Sequence, residues 1–268
     1  MFTVRTKSGR PMSPILIHAG NPGAMTGPGN NTWLLMGAEP ALIDAGVGGS
    51  SHIEAIARAL EDRELSRALV THGHADHASG APALRARWPN VELAKFLAQE
   101  AGSSDPAIAE DAPWRALADG ERITAGESLL TVIHTPGHAL DHVCFWNPDT
   151  RELFAGDMLS LGTTIMIPAG RGGGLCAYMA SLERLAALAP ARVYPGHGPV
   201  IEQPVKLITE YLAHRRMREA QVRECLAAGV SDPDAIVRRL YPELAAGLAA
   251  AARATVEAHI EKLRDDEL

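Results

Sequence analysis

Residues 70–80 read VTHGHADHASG: an apolar run, ALV, gives way at Thr71 to a polar cluster. His72, His74, Asp76 and His77 fall within six consecutive positions, with only Gly73 and Ala75 between them. The run predicts a strand ending in a loop, and such strand ends are where α/β proteins build sites, because the scaffold is rigid and the loop is free. His72 and His74, two apart, aim the same way from an extended loop. Asp76 and His77, after a turn, aim at a second point a few ångströms away. Two such points suit a pair of metal ions, which typically sit about 3.5–4 Å apart.

Four ligands from one loop do not enclose two ions, and the chain supplies more in one repeated setting: a strand, a glycine, then a metal-type side chain. VIHTPGH brings His138, LFAGD brings Asp157 and VYPGH brings His197. The glycine lets the backbone turn sharply and removes a side chain that would crowd the centre. Of 11 histidines, five stand at these turns. One alone would read as a polar loop residue; the HxHxDH run with three downstream turns does not.

Around this cluster the 268 residues, 46% hydrophobic and 21% charged, predict a globular protein with one sizeable core or a core plus a small appendage. The net charge of −7 argues against a broad polyanion-binding surface. Three scattered cysteines, Cys144, Cys176 and Cys225, suggest neither a disulfide framework nor a CxxC metal site. The N-terminal MFTVRTKSGRPMSP lacks the apolar centre of a secretion signal, and no run approaches the roughly 20 apolar residues of a membrane span. A cytoplasmic protein with no membrane association is expected.

Strands are expected at NTWLLM, PALIDAG, RALVTHG, LLTVIHT, HVCFW, ELFAGD and ARVYPGHG, and helices at SSHIEAIARALED, near HASGAPALRAR and at CAYMASLERLAAL. Strands mixed with helices point to a layered α/β domain over residues 1–204. The remainder, 205–268, reads as consecutive helices, a small helical C-terminal region. Two glycine-rich loops, GNPGAMTGPGNN and AGRGGG, are too irregular for phosphate loops and read as walls of a cleft.

The signature THGHADH, with the turns downstream, resembles the metallo-β-lactamase superfamily over about residues 30–200. The resemblance implies an αββα sandwich with a dinuclear site at the edge between two facing sheets. Carried over residue by residue, it gives His72, His74 and His138 to a first metal and Asp76, His77 and His197 to a second, with Asp157 bridging. Two divalent ions are implied, zinc first, with manganese or iron as alternatives suited to nitrogen and oxygen donors. Asp44, ending ALID, resembles the aspartate that orients the ligand loop from behind. Asp76 and Asp157 count as catalytic with the metals, and His142 in GHALDHVCF is the candidate to protonate a leaving group.

Asp157 stands where the best-known zinc β-lactamases carry cysteine, and its 40-position spacing to His197 leaves no room for the inserted domain of processive nucleases. TPGHALDHVCF, GDMLSLGTTI, VYPGHGPVI and YLAHRRMREAQV resemble the lactamase-beta-2-like group, whose best-known animal member is a single-strand endoribonuclease and whose bacterial relatives are mostly named generic hydrolases or hydroxyacylglutathione-hydrolase-like proteins. The tail resembles that group's winged-helix-like region but shows no evident wing, and its 10 basic against 11 acidic residues do not make a nucleic-acid module.

The expected function is hydrolysis of a small ester, thioester or lactone-like molecule by a metal-bridging hydroxide. Single-strand RNA cleavage is the alternative, with iron-dependent persulfide oxidation behind it. HRRMRE is expected to form a solvated helix face. Tyr178, Thr163 and Thr164 are candidates either for the cleft lining or for core and turn roles, substrate-binding residues are not identifiable, and an oligomer stays open.

Overall fold

A computed structural model of the chain describes residues 12–23, 26–98, 112–162, 164–167, 169 and 174–265. Residues 1–11 of the N-terminal stretch, Thr163, residues 24 and 25 of the first glycine-rich loop and residues 170–173 of the second lie outside the described residues.

Two sheets face each other. The first runs β1 (Ile15–His18), β2 (Asn31–Leu35), β3 (Ala41–Ile43), β4 (Arg67–Val70), β5 (Glu92–Phe96), β6 (Arg115–Leu117) in spatial order. Its first two pairings are antiparallel and the rest parallel. The second contains β7 (Arg122–Ala125), β8 (Ser128–His134), β9 (Val143–Asn147), β10 (Glu152–Gly156) and β11 (Arg192–Pro195), in the order β11-β10-β9-β8-β7. Here only β10 and β11 run parallel. Helices α1 (Ser50–Leu60), the single-turn α2 (Ala75–Ala78) and α3 (Ala81–Arg87) cover the first sheet, and α4 (Gly174–Ala187) covers the second.

The layering follows from the two-residue period of a strand, which sends alternate side chains to opposite faces. On β4, Leu69 enters the core between the sheets while Ala68 and Val70 pack under the helices with Ile56, Leu60 and Leu84. On β10, Phe154 faces inward while Leu153 and Ala155 meet Leu182 and Leu185 of α4. Both faces of these central strands are thus covered, and they read as continuous apolar runs. Each large side chain so buried contributes about 1.5–3 kcal/mol relative to exposure. The expected αββα sandwich is the observed fold.

The tail is formed by α5 (Pro204–Ala227), α6 (Pro233–Leu240), a 3-10 turn at Ala246–Leu248 and α7 (Ala249–Asp265). Asp232 caps α6, its carboxylate accepting from the Asp234 and Ala235 amides, with Pro233 in the first turn where no amide hydrogen is needed. Helix α5 divides its packing. Leu207, Ile208 and Leu212 join the core under the second sheet, whereas Val222 and Cys225 join a separate cluster with Ile236, Val256 and Ile260. No strand follows β11 among the described residues, so no wing is formed there. No helix of the described residues is long and apolar enough to cross a membrane.

Candidate metal centre

Parallel pairing gathers the site. β3 lies beside β4, so Asp44 after one strand meets Thr71 after the other; β10 lies beside β11, so Asp157 meets His197. The Val143 amide donates to the Thr71 carbonyl at 2.7 Å and the Asn31 amide to that of Gly196 at 2.7 Å, joining the two sheets at this edge. A Cβ at Gly196 would stand 2.6 Å from Asp157 Oδ1 and 2.7 Å from His77 Cε1, so only glycine lets the His197 turn close over the centre.

Among the described residues, three groups of potential ligand atoms result: His72, His74 and His138; Asp76, His77 and His197; and His72, His77 and Asp157, the atoms of each group lying within 4.8 Å of one another. His74 Nδ1 is 2.9 Å from both His72 Nε2 and His138 Nε2. His197 Nε2 is 3.2 Å from Asp76 Oδ2. Asp157 reaches both sides. Its Oδ1 is 3.4 Å from His77 Nε2 and 3.5 Å from His197 Nε2, and its Oδ2 is 3.5 Å from His138 Nε2.

The outer ring atoms are held from behind. Asp44 is buried and accepts from the Thr71 amide at 2.8 Å, the Thr71 hydroxyl at 3.1 Å and His77 Nδ1 at 2.8 Å, which turns His77 Nε2 inward. His138 Nδ1 donates to the Met166 carbonyl at 2.9 Å, which turns its Nε2 inward in the same way. Donation from one ring nitrogen to a carboxylate or carbonyl fixes the tautomer that ligates through the other.

The charge balance is that of a cation site. Burial opposes charge on His77, yet the Asp157 and Asp44 carboxylates outweigh it and hold the imidazole well above its usual range. Burial likewise opposes charge on Asp157, but the facing His77 and His197 rings hold the carboxyl well below its usual range. His197 is carried up to about 9 against burial by the neighbouring Asp157 and Asp76 carboxylates. Burial pushes His72 well down, and the neighbouring His77 and His138 rings add to it. His77 Nε2 and Asp157 Oδ1 are buried, face each other and have no hydrogen-bond partner. Unpaired buried polar atoms are costly, and divalent cations would satisfy them; the residues present fit such ions.

His142 does not stand where the sequence suggests. It is fully buried, its Nδ1 is 2.8 Å from the Thr135 hydroxyl, and its Nε2 accepts from the Asp157 amide at 3.2 Å. Both nitrogens are engaged and burial pushes its pKa well down, and through Nε2 it steadies the Asp157 backbone. Tyr178 is also in the core, donating to the Met158 carbonyl at 2.9 Å. Thr164 is exposed beside α5 and lines a cavity of about 190 Å³ with Leu207, Glu210, Tyr211, His214 and Arg215.

Some supports are not apparent from sequence. Asn30 is buried and donates to the Asp76 carbonyl, and Asn31 donates to the carbonyls of Pro195 at 3.0 Å and Gly198 at 2.8 Å, bracketing His197. Their only signal is a polar pair at the head of an apolar strand. Lys95, buried in β5, pairs with Asp141 at 2.8 Å and ties the first sheet to the loop carrying His138 and His142.

Residues 25–197, more than half of the chain, match the description "Metallo-beta-lactamase superfamily". The chain belongs to the metallo-beta-lactamase superfamily. Members of this superfamily are metal-dependent hydrolases, and this chain is one. Residues 233–268 match a "Beta-lactamase associated winged helix domain".

Among curated relatives, a Drosophila melanogaster beta-lactamase-like protein 2 homolog is 34% identical over 269 residues, 95% of this chain and 88% of that protein. The Penicillium aethiopicum lactamase-like protein vrtG is 36% identical over 231 residues, 84% and 70% of the two chains. The Emericella nidulans thioesterase pkgB is 34% identical over 211 residues, 77% of this chain but 57% of its own length. A Thermus thermophilus metallo-beta-lactamase family protein shares the fold with a TM-score of 0.75 at 22% identity, covering 95% and 94%. TTHA1623, solved in a di-iron-bound form, aligns at TM-score 0.55 and 25% identity, over 73% of this chain and 96% of its own.

Proposed function

We propose that this hydrolase is dinuclear and acts on a small ester, thioester or lactone-like substrate. His72, His74 and His138 would hold one divalent ion and Asp76, His77 and His197 a second, with Asp157 placed to serve both. The observation that carries this is the division of the Asp157 carboxylate, one oxygen toward His77 and His197 and the other toward His138. When bound, two such ions lower the pKa of water to near neutrality and polarise the acyl oxygen it attacks.

The protein residues supply geometry and proton handling. Asp44 and the Met166 carbonyl hold His77 and His138 with Nε2 inward; Thr135 and His142 hold the Asp157 backbone. Asp76 is the more exposed of the two inner carboxylates, so it is the group assigned to accept and pass a proton. Zinc is the proposed occupant, nitrogen and oxygen donors equally suiting manganese or iron, and the di-iron relative supports the latter. The thioesterase relative supports an acyl substrate. Asp157→Ala is expected to lose bound metal and turnover together on a panel of esters, thioesters and lactones; full activity in that variant would refute the assignment.

A second reading, cleavage of single-stranded RNA, is favoured by the winged-helix match over 233–268. Metal-loaded protein that leaves unstructured RNA intact with zinc and with manganese rules it out.

A further inference from the structure

Arg215 of α5 is only 1% exposed, and its Nη1 is buried without a hydrogen-bond partner. It makes no ion pair among the described residues, although its neighbours in HRRMRE are engaged: Arg216 pairs with Glu183 at 2.9 Å, and Arg218 lies over the Tyr241 ring. Burying a guanidinium without a counter-charge costs several kcal/mol, and an apolar residue of similar volume would pack as well or better. Stability alone therefore does not account for arginine here.

What the side chain touches is informative. One guanidinium nitrogen, Nη2, donates to the Ile165 carbonyl. The next carbonyl along, that of Met166, takes the Nδ1 proton of His138 at 2.9 Å, leaving His138 Nε2 2.9 Å from His74 Nδ1. The guanidinium also lies 5.4 Å from the centre of the Tyr178 ring. Tyr178 forms the opposite wall of the same slot: a Cβ at Gly137, just before His138, would stand 2.4 Å from Tyr178 Cα. Ser181 of α4 closes the slot, its hydroxyl donating to the Pro136 carbonyl at 2.8 Å. Arg215 thus spans both walls that set the orientation of His138, the Ile165–Met166 backbone on one side and Tyr178 on the other.

We infer that Arg215 is a positioning residue for His138, fixing its ring from the tail helix and so tuning the His72, His74 and His138 site. The inference rests on the reading that those histidines hold a metal ion. Groups that orient a ligating histidine typically change metal affinity by about 10–100-fold when removed. The effect is selective, because Asp44, Asn30 and Asn31 brace the other group independently.

The test is titration of metal-free full-length protein with Zn²⁺ against a competing chelator, with the two binding events resolved by calorimetry, for native protein, Arg215→Met, Arg215→Lys and His138→Ala. Arg215→Met is expected to weaken one site by about 10–100-fold and leave the other native; Arg215→Lys, which keeps a donor for the Ile165 carbonyl, is expected to recover most of the loss. His138→Ala is expected to abolish the same site. If His138→Ala loses a site and Arg215→Met keeps both at native affinity, the positioning role is overturned while the metal assignment stands. Equal weakening of both sites also overturns it, as general loosening. If His138→Ala keeps both sites, the metal assignment itself fails and this inference with it. Where Arg215→Met does not fold by circular dichroism, Arg215→Gln, polar but too short to reach Ile165, carries the same two outcomes.

Discussion

Replacing Asp44 by Asn isolates the electrostatic part of ligand orientation. Asp44 has a φ of 64°, a left-handed conformation that Asn tolerates and that Ala or Leu does not, so the backbone is preserved. Oδ1 still accepts from the Thr71 amide. The amide nitrogen, however, takes the place of Oδ2, the atom now 2.8 Å from His77 Nδ1. Two donors then face each other, and the imidazole relieves the conflict by moving its proton to Nε2, the nitrogen needed at the metal. A buried hydrogen bond to a charged group contributes about 1.5–3 kcal/mol, so the ion proposed at Asp76, His77 and His197 should bind about 10–150-fold more weakly. Chelator competition on folded protein measures this, with the His72, His74 and His138 site as internal reference. Native affinity at both sites in Asp44→Asn would refute the tautomer argument.

Two further expectations follow from single contacts. Burial pushes His52 down to about 4 from 6.5, its ring held by the Thr32 hydroxyl at 2.9 Å. Between those pH values the folded protein binds fewer protons than the unfolded chain, so stability is lost as pH falls from 6.5 to 4, by about 3 kcal/mol from this residue. Urea unfolding across that window should show a shallower pH dependence in His52→Leu, and an unchanged slope would contradict it. Gly196→Ala should leave the fold intact by circular dichroism but drop metal content, since its Cβ meets Asp157 Oδ1 at 2.6 Å; full metal content by elemental analysis would count against that steric account.

The sequence showed the layers and the ligand cluster because both are written in local pattern. Apolar runs such as ALV and LFA mark covered strands, and chemistry-bearing residues follow them within one or two positions. Shorter strands left weaker traces. β6 is three residues, and β5 carries a buried lysine, Lys95, beside Leu93 and Ala94, so neither has a clean period; each is defined by its pairing partner. The fate of Lys95 depends on Asp141, 46 positions away, and local pattern does not report such a pair. The same applies to HRRMRE, where helical spacing reads as a wet face and Arg215 is instead dry. His142 illustrates a third limit: proximity to a ligand in sequence does not say which way a ring points, and here a backbone amide already occupies the nitrogen in question.

Helix α5 is 24 residues long, about 36 Å, and is embedded at one end in the core under the second sheet and at the other in the tail cluster. A rod gripped at both ends has no joint at which the tail can swing. Melting the tail cluster would release half of α5, and the loosened helix would fray back toward Leu212 and the main core. Catalytic body and tail are therefore expected to denature as one cooperative block, and cutting the chain after Ala227 would strip support from both.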